Sequence, residues 1–166
     1  MKHDRIDEIL GQWQQEAPQL DVSALAVTGR VLRSARLLEK HRETVLAEYG
    51  LNVWSFDVLA TLRRQGPPYQ LKPTDLYSLL MLSSGAMTNR IDRLEQDGVV
   101  VRIRDLDDRR SVSVQLTPKG IALMDIVMPV LFARENQFLE QFTQAETQTF
   151  INLLRRFLLS FDAIDW

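Results

Sequence analysis

Residues 82–100 read LSSGAMTNRIDRLEQDGVV, and residues 101–120 read VRIRDLDDRRSVSVQLTPKG. On a helical wheel at ~100° per residue, Met87, Ile91 and Leu94 form one apolar stripe. The opposite face then carries Gly85, Asn89, Asp92, Arg93 and Gln96, flanked by Ala86 and Thr88. An asparagine amide pairs bidentately with adenine, and a threonine can touch a thymine methyl. Thr88 and Asn89 are therefore candidates for base edges, and Arg93 for a phosphate. Ser83, Ser84 and Gly85 stand at the helix start, where hydroxyls and free N–H groups take a phosphate and small side chains permit close approach.

Two alternating segments follow, Val99 to Arg104 and Ser111 to Leu116, which read as short strands. Their tip holds Asp107, Asp108, Arg109 and Arg110. A helix shaped to enter a major groove, beside a hairpin with a basic tip, is the pattern of a winged helix-turn-helix. The expected fold is mainly α with a small β-wing.

The elements that position this unit are also legible. Residues 4–15 predict a short amphipathic helix carrying Ile6, Ile9, Leu10 and Trp13, closed by Pro18. Asp21 or Ser23 is expected to cap a long second helix to about Tyr49, with Gly50 at its C-terminus. Asn52 is expected to cap a third helix holding Trp54, Phe56, Leu59 and Leu62, ended by Gly66-Pro67-Pro68. Pro73-Thr74-Asp75 opens a short helix to about Leu80, and Ser83 or Ser84 opens the next, ending at Gly98. Thr117-Pro118 starts another helix, with a bend expected at Pro129. Thr143 and Glu146 form a capping box for the last one. The chain thus divides into N-terminal helices (1–50), a winged helix-turn-helix (51–118) and C-terminal helices (119–166). The end helices are very apolar, which fits either an intramolecular core or a dimer interface. A dimer would bring two reading helices to half-sites ~34–36 Å apart.

The bulk numbers bound the function. With 45% apolar and 25% charged residues, the chain has the composition of a globular protein. Its apolar runs are too short for a membrane span, and the N-terminus MKHDRIDEILGQW has acids where a signal peptide needs its apolar stretch. A cytoplasmic location is expected. The absence of cysteine excludes disulfides, thiolate-bound metals and thiol redox sensing. Twenty basic against 22 acidic side chains argues against a general nucleic-acid coat but not against a reader with locally concentrated charge. His3 and His41, both expected at the surface, stand in unrelated contexts. No nucleophile set, phosphate loop or metal-spaced cluster is visible, so neither catalysis nor a cofactor is expected.

Two charged residues stand in apolar company. Asp57 lies within Phe56-Asp57-Val58-Leu59. A carboxylate buried there must find a cation or take up a proton. It is either half of a structural ion pair or part of a charge-sensing pocket. Arg90 falls beside the apolar stripe of its helix, so its guanidinium either points inward beneath the reading face or snorkels to solvent.

At these residues the chain resembles the MarR family of transcriptional regulators, over nearly its whole length. DLDDRRSVSVQLTPKG (105–120) carries the wing signature. FDVLATLRRQGPPY (56–69), LSSGAMTNRIDRLE (82–95) and the extra N-terminal helix with a tryptophan resemble its urate-responsive, PecS-like branch. The resemblance implies a triangular homodimer, with dimerisation helices at both ends, bound to a pseudo-palindromic DNA operator, usually as a repressor. It implies a ligand site of Trp13, Asp57, Arg90 and Arg102 for a small planar anion: urate, another purine or a phenolic acid such as salicylate. The anion would hold Arg90, repel Asp57 and redistribute the contacts of Arg90 and Arg102, re-aiming Thr88 and Asn89. The resemblance places Arg109 at or in the minor groove, braced by Asp107 or Asp108, with Arg110 sharing that role or turned back. Two other readings stand beside this one. A winged helix used for protein contacts would show an apolar reading face. A DNA-binding repressor without a ligand would leave Asp57 and Arg90 as structural charges.

Overall fold

The computed structural model describes residues 3–80, 84–104 and 112–163, and for residues 84–87 and 163 the backbone alone. Its helices are α1 (Arg5–Glu16), α2 (Leu25–Ala47), α3 (Val53–Arg63), α4 (Pro73–Leu80), α5 (Ser84–Gln96), α6 (Pro118–Asn136) and α7 (Gln144–Leu159). Strands β1 (Gln70–Leu71), β2 (Val100–Arg104) and β3 (Val112–Leu116) form an antiparallel sheet in the order β1-β3-β2. Arg102 pairs with Val114 on one side of β3, and Leu71 with Val114 on the other. This is a winged helix-turn-helix, with helices before and after it. Among the described residues, no helix is long and apolar enough to cross a membrane.

The caps explain most boundaries. Asn52 and Ser55 form a reciprocal capping box at α3, and Thr143 and Glu146 do so at α7. Thr117 caps α6 with Pro118 next. Gly50 and Gly98 take positive φ just past α2 and α5, a conformation that costs glycine nothing. The start of α2 differs from expectation. Neither Asp21 nor Ser23 caps it. Asp21 spends its carboxylate on the Ser23 amide (2.9 Å), and the helix is entered through Ala24, already helical in backbone and without a side-chain cap.

One core joins α2 through α6 and the sheet. Leu46 of α2, Leu59 and Leu62 of α3, Leu76 of α4, Ile91 and Leu94 of α5, Val114 of β3, and Met124 and Leu131 of α6 are all essentially solvent-free. The turn from α5 to β2 is bonded to the start of α6. The Val99 carbonyl accepts from Thr117 N (3.1 Å) and the Gly98 carbonyl from Thr117 Oγ1 (2.8 Å). Gly120 permits this approach, since a Cβ there would sit 2.1 Å from the Val99 carbonyl oxygen. Helix α1 docks on α2. Ile6 is buried against Gly29, and Arg30 reaches both Asp4 (2.8 Å) and Asp7 (2.6 Å).

Two predictions follow from these contacts. Gly120→Ala should destabilise the fold by about 1–3 kcal/mol, because the obstacle is backbone and cannot swing aside; chemical denaturation with matched m-values measures it. The α1 docking should fail in acid. For Asp4, partial desolvation raises the carboxyl, but Arg30 and the amides of Asp7 and Ile6 outweigh it and hold it below the ordinary value of 3.8. The Asp4 amide and Arg30 likewise lower Asp7. A depressed carboxyl stabilises above its unfolded value and loses that contribution as pH falls through the folded one. Amides of residues 5–16 should thus lose exchange protection below about pH 3.8 before the core does, and already at neutral pH in Arg30→Ala.

Candidate DNA-reading face and ligand-sensing residues

On α5, Ile91 and Leu94 are 2% and 1% exposed, while Thr88, Asn89, Arg93 and Gln96 lie in solvent. The wheel reading of this face therefore matches the structure for these residues. Ser84 and Gly85 form the first turn of α5. Ser83, Arg109 and Arg110 lie outside the described residues, as do Asp107 and Asp108. Asp92 keeps its expected place on the open side, with its side chain 47% exposed, but it is engaged there. It turns to the wing base, 2.5 Å from Arg102 Nη2.

Arg102 is the joint between α5 and β2. Its guanidinium forks onto Asp92 and Glu95, and Glu95 Oε1 also accepts its backbone N–H (3.0 Å). Partial burial lowers the guanidinium's pKa, but the two carboxylates outweigh it and raise it above the ordinary value. Such forked, charge-assisted bonds fix direction as well as distance. The base of the wing and the reading helix are thereby held as one piece.

Arg90 is half-buried and lies over the Trp54 ring of α3, 5.4 Å from its centroid. This is a cation–π contact that keeps the guanidinium beside the domain without sealing it off. Asp57 is not a buried carboxylate. Its side chain is 38% exposed, and its cation is Arg42 of α2, with Nη2 3.3 Å from Oδ1. Trp13 is 42% exposed on α1. Among the described residues, no hydrogen bond or ion pair joins any two of Trp13, Asp57, Arg90 and Arg102. A cleft of about 570 Å³ opens nearby between Asn52, Trp54, Arg93, Gln96 and Lys119, and none of those four residues lines it.

Two residues of this neighbourhood escaped the sequence reading. Trp54 reads as core by its apolarity, yet it stands three positions before Asp57, on the same helical face. Arg42 lies 15 residues from Asp57, and no local pattern joins them. His41, expected at the surface, is half-buried with its ring edge-on to Phe138 (4.8 Å between centroids). Among the described residues, no group of three or more His, Asp or Glu side chains is placed to hold a metal ion.

Comparison with known proteins agrees with this architecture. The MarR family model matches residues 51–112. The HTH-type transcriptional regulator PecS of Dickeya dadantii is 38% identical over 151 residues, covering 91% of each chain. Among solved structures, AbsC from Streptomyces coelicolor, a MarR family transcriptional regulator, superposes with a TM-score of 0.77 at 22% identity, over 87% of this chain and 98% of that one. A mutant MarR from E. coli complexed with operator DNA gives 0.70 at 24% identity, over 84% and 99%. With a curated relative this similar end to end, and with the winged helix-turn-helix in place, the chain belongs to the MarR family of DNA-binding transcriptional regulators.

Proposed function

We propose that two copies of this chain bind the half-sites of a pseudo-palindromic operator as a repressor, and that a small planar anion releases them. The observation that carries the DNA reading is the α5 face. Asn89 and Arg93 are exposed on the side away from buried Ile91 and Leu94, Thr88 is exposed at its flank, and Arg102 locks that helix to β2. Thr88 and Asn89 would read base edges, while Ser83, Ser84, Gly85 and Arg93 would take the backbone. Arg109 and Arg110 would reach from the wing tip.

Pairing is supported by helices that do not bury themselves. No residue of α7 is buried, and Leu153, Leu158 and Leu159 are 55%, 69% and 57% exposed. Leu32 of α2 and Ile126 of α6 are equally open, at 59% and 58%. A 16-residue helix that buries nothing is marginal in water alone, and so broad an apolar surface calls for a partner. A second copy supplies one with the same surface.

The ligand reading is supported by the Arg90–Trp54 contact. It pairs a guanidinium of the reading helix with an aromatic face, where a planar anion such as urate, another purine or a phenolic acid could insert. Asp57, one turn along α3 from Trp54, would then feel the ligand's charge. Trp13 would close over the site and Arg102 would adjust at the wing base. The four residues' present partners favour a second reading, a repressor without a small-molecule ligand. Arg42, Trp54 and the Asp92–Glu95 pair already satisfy three of them.

Anisotropy with DNA from upstream of the protein's own gene separates the readings. Asn89→Ala should weaken operator binding by about 1–3 kcal/mol and relax specificity at one base pair. Arg109→Ala should weaken it on every sequence and make the salt slope shallower by about one unit; unchanged slopes remove the wing from the interface. Urate or salicylate, titrated at fixed pH and ionic strength, should weaken wild-type binding ~5- to 150-fold. Asp57→Asn, whose Oδ1 still accepts from Arg42, should bind DNA yet respond poorly to the ligand. If neither compound releases wild type, the ligand-free repressor is the better description.

A further inference from the structure

Helix α3 belongs to the reading unit, while α2 and α6 carry the open apolar faces. Where they meet, the packing is largely apolar: Val45 and Leu46 of α2, Phe56 and Leu59 of α3, and Leu131 of α6. Apolar contact holds helices together but does little to stop them sliding or turning, and shear of packed helices is a common route of domain motion. Something directional must fix the angle at which the reading unit leaves the paired helices.

Arg42 of α2 stands at this joint and reaches both other helices. Its Nη2 lies 3.3 Å from Asp57 Oδ1 on α3, and its Nε lies 3.3 Å from Glu135 Oε1 on α6. Its guanidinium lies over the Phe56 ring, 5.2 Å from the centroid. The side chain is only 26% exposed, and Nε is buried without a well-aligned hydrogen bond. A planar guanidinium divided between two carboxylates and one ring resists rotation of any of the three helices. The far end of α3 is tied separately to α6 by Arg63 and Asp125 (2.8 Å). That bond makes a pivot, and Arg42 is the second point that stops the turning.

We propose that Arg42 is a positioning residue that sets the angle of the reading unit against the paired helices, and so the separation of the two α5 helices. This rests on the proposed pairing of two copies but not on the ligand reading. A protein that binds DNA in half-sites one turn apart needs that separation fixed.

The chain has no cysteine, so a nitroxide on Gln96→Cys, at the solvent end of α5, labels each copy once. Pulsed dipolar spectroscopy without DNA then measures α5 to α5. Wild type should give one narrow distance distribution. Arg42→Met keeps the stem over Phe56 but drops the charge, and should roughly double the width or shift the maximum. Glu135→Gln, which spares Arg42 and Asp57, should broaden it less, and circular dichroism should show both variants folded. Identical narrow distributions in wild type and a folded variant overturn the role of Arg42 while leaving the pairing intact. No dipolar coupling in wild type overturns the pairing, and this proposal with it.

Discussion

The arrangement depends on the close approach of the α6 start to the turn after α5. Val99 accepts from Thr117, Gly98 accepts from the Thr117 hydroxyl, and Gly120 leaves room for both. Without that contact α6 could not run beneath the reading unit, and Met124, Val127 and Leu131 would not complete the core around Leu59 and Leu62. The same turn delivers the chain into β2 at the position where Arg102 meets Asp92 and Glu95. One backbone junction thus fixes the lower end of the reading helix, the base of the wing and the first helix of the C-terminal segment.

How much of this was legible in the sequence depends on the range of each interaction. Caps act within four residues, so Asn52-Ser55, Thr117-Pro118 and Thr143-Glu146 mark helix starts directly. Gly50 and Gly98 mark helix ends for the same local reason. The stripe of Ile91 and Leu94 assigns the open face of α5. Strand β1 escaped because two residues, Gln70 and Leu71, cannot show a period; only pairing to β3 makes them a strand. The entry to α2 misled because Asp21 can bond a near amide in a turn as well as in a cap, and here the turn wins.

Partners of charged residues were the least legible. The apolar neighbours of Asp57 suggest a buried carboxylate that needs a cation or a proton; it is instead partly exposed, and its pairing with Arg42 depends on how α2 crosses α3. The wheel puts Arg90 beside the stripe, yet only the packing of α3 on α5 brings Trp54 beneath it. The family resemblance named four residues, and the structure shows each engaged with something the resemblance did not name or left in solvent. Ligand binding at such a site has to compete with these contacts, since a ligand shifts an equilibrium only by its differential affinity for the two arrangements.

The same bookkeeping of charge bears on DNA. With 20 basic and 22 acidic residues, the chain as a whole does not attract phosphate. Local field decides, and Arg102 shapes it. By bridging Asp92 and Glu95, its single positive charge offsets one of the two acidic charges on that side of α5. Arg93 then presents its charge to solvent with its helix's acids already engaged, and Arg90 lies over the uncharged indole of Trp54. Fixing the base of the wing and reducing the negative charge beside Arg93 are consequences of one ion-pair cluster. A helix read in isolation, with two acids and two arginines between residues 90 and 95, would look neutral. In the fold Arg102 adds a positive charge to that count, and Arg93 stands exposed on the open face, where contact with a phosphate backbone needs a cation.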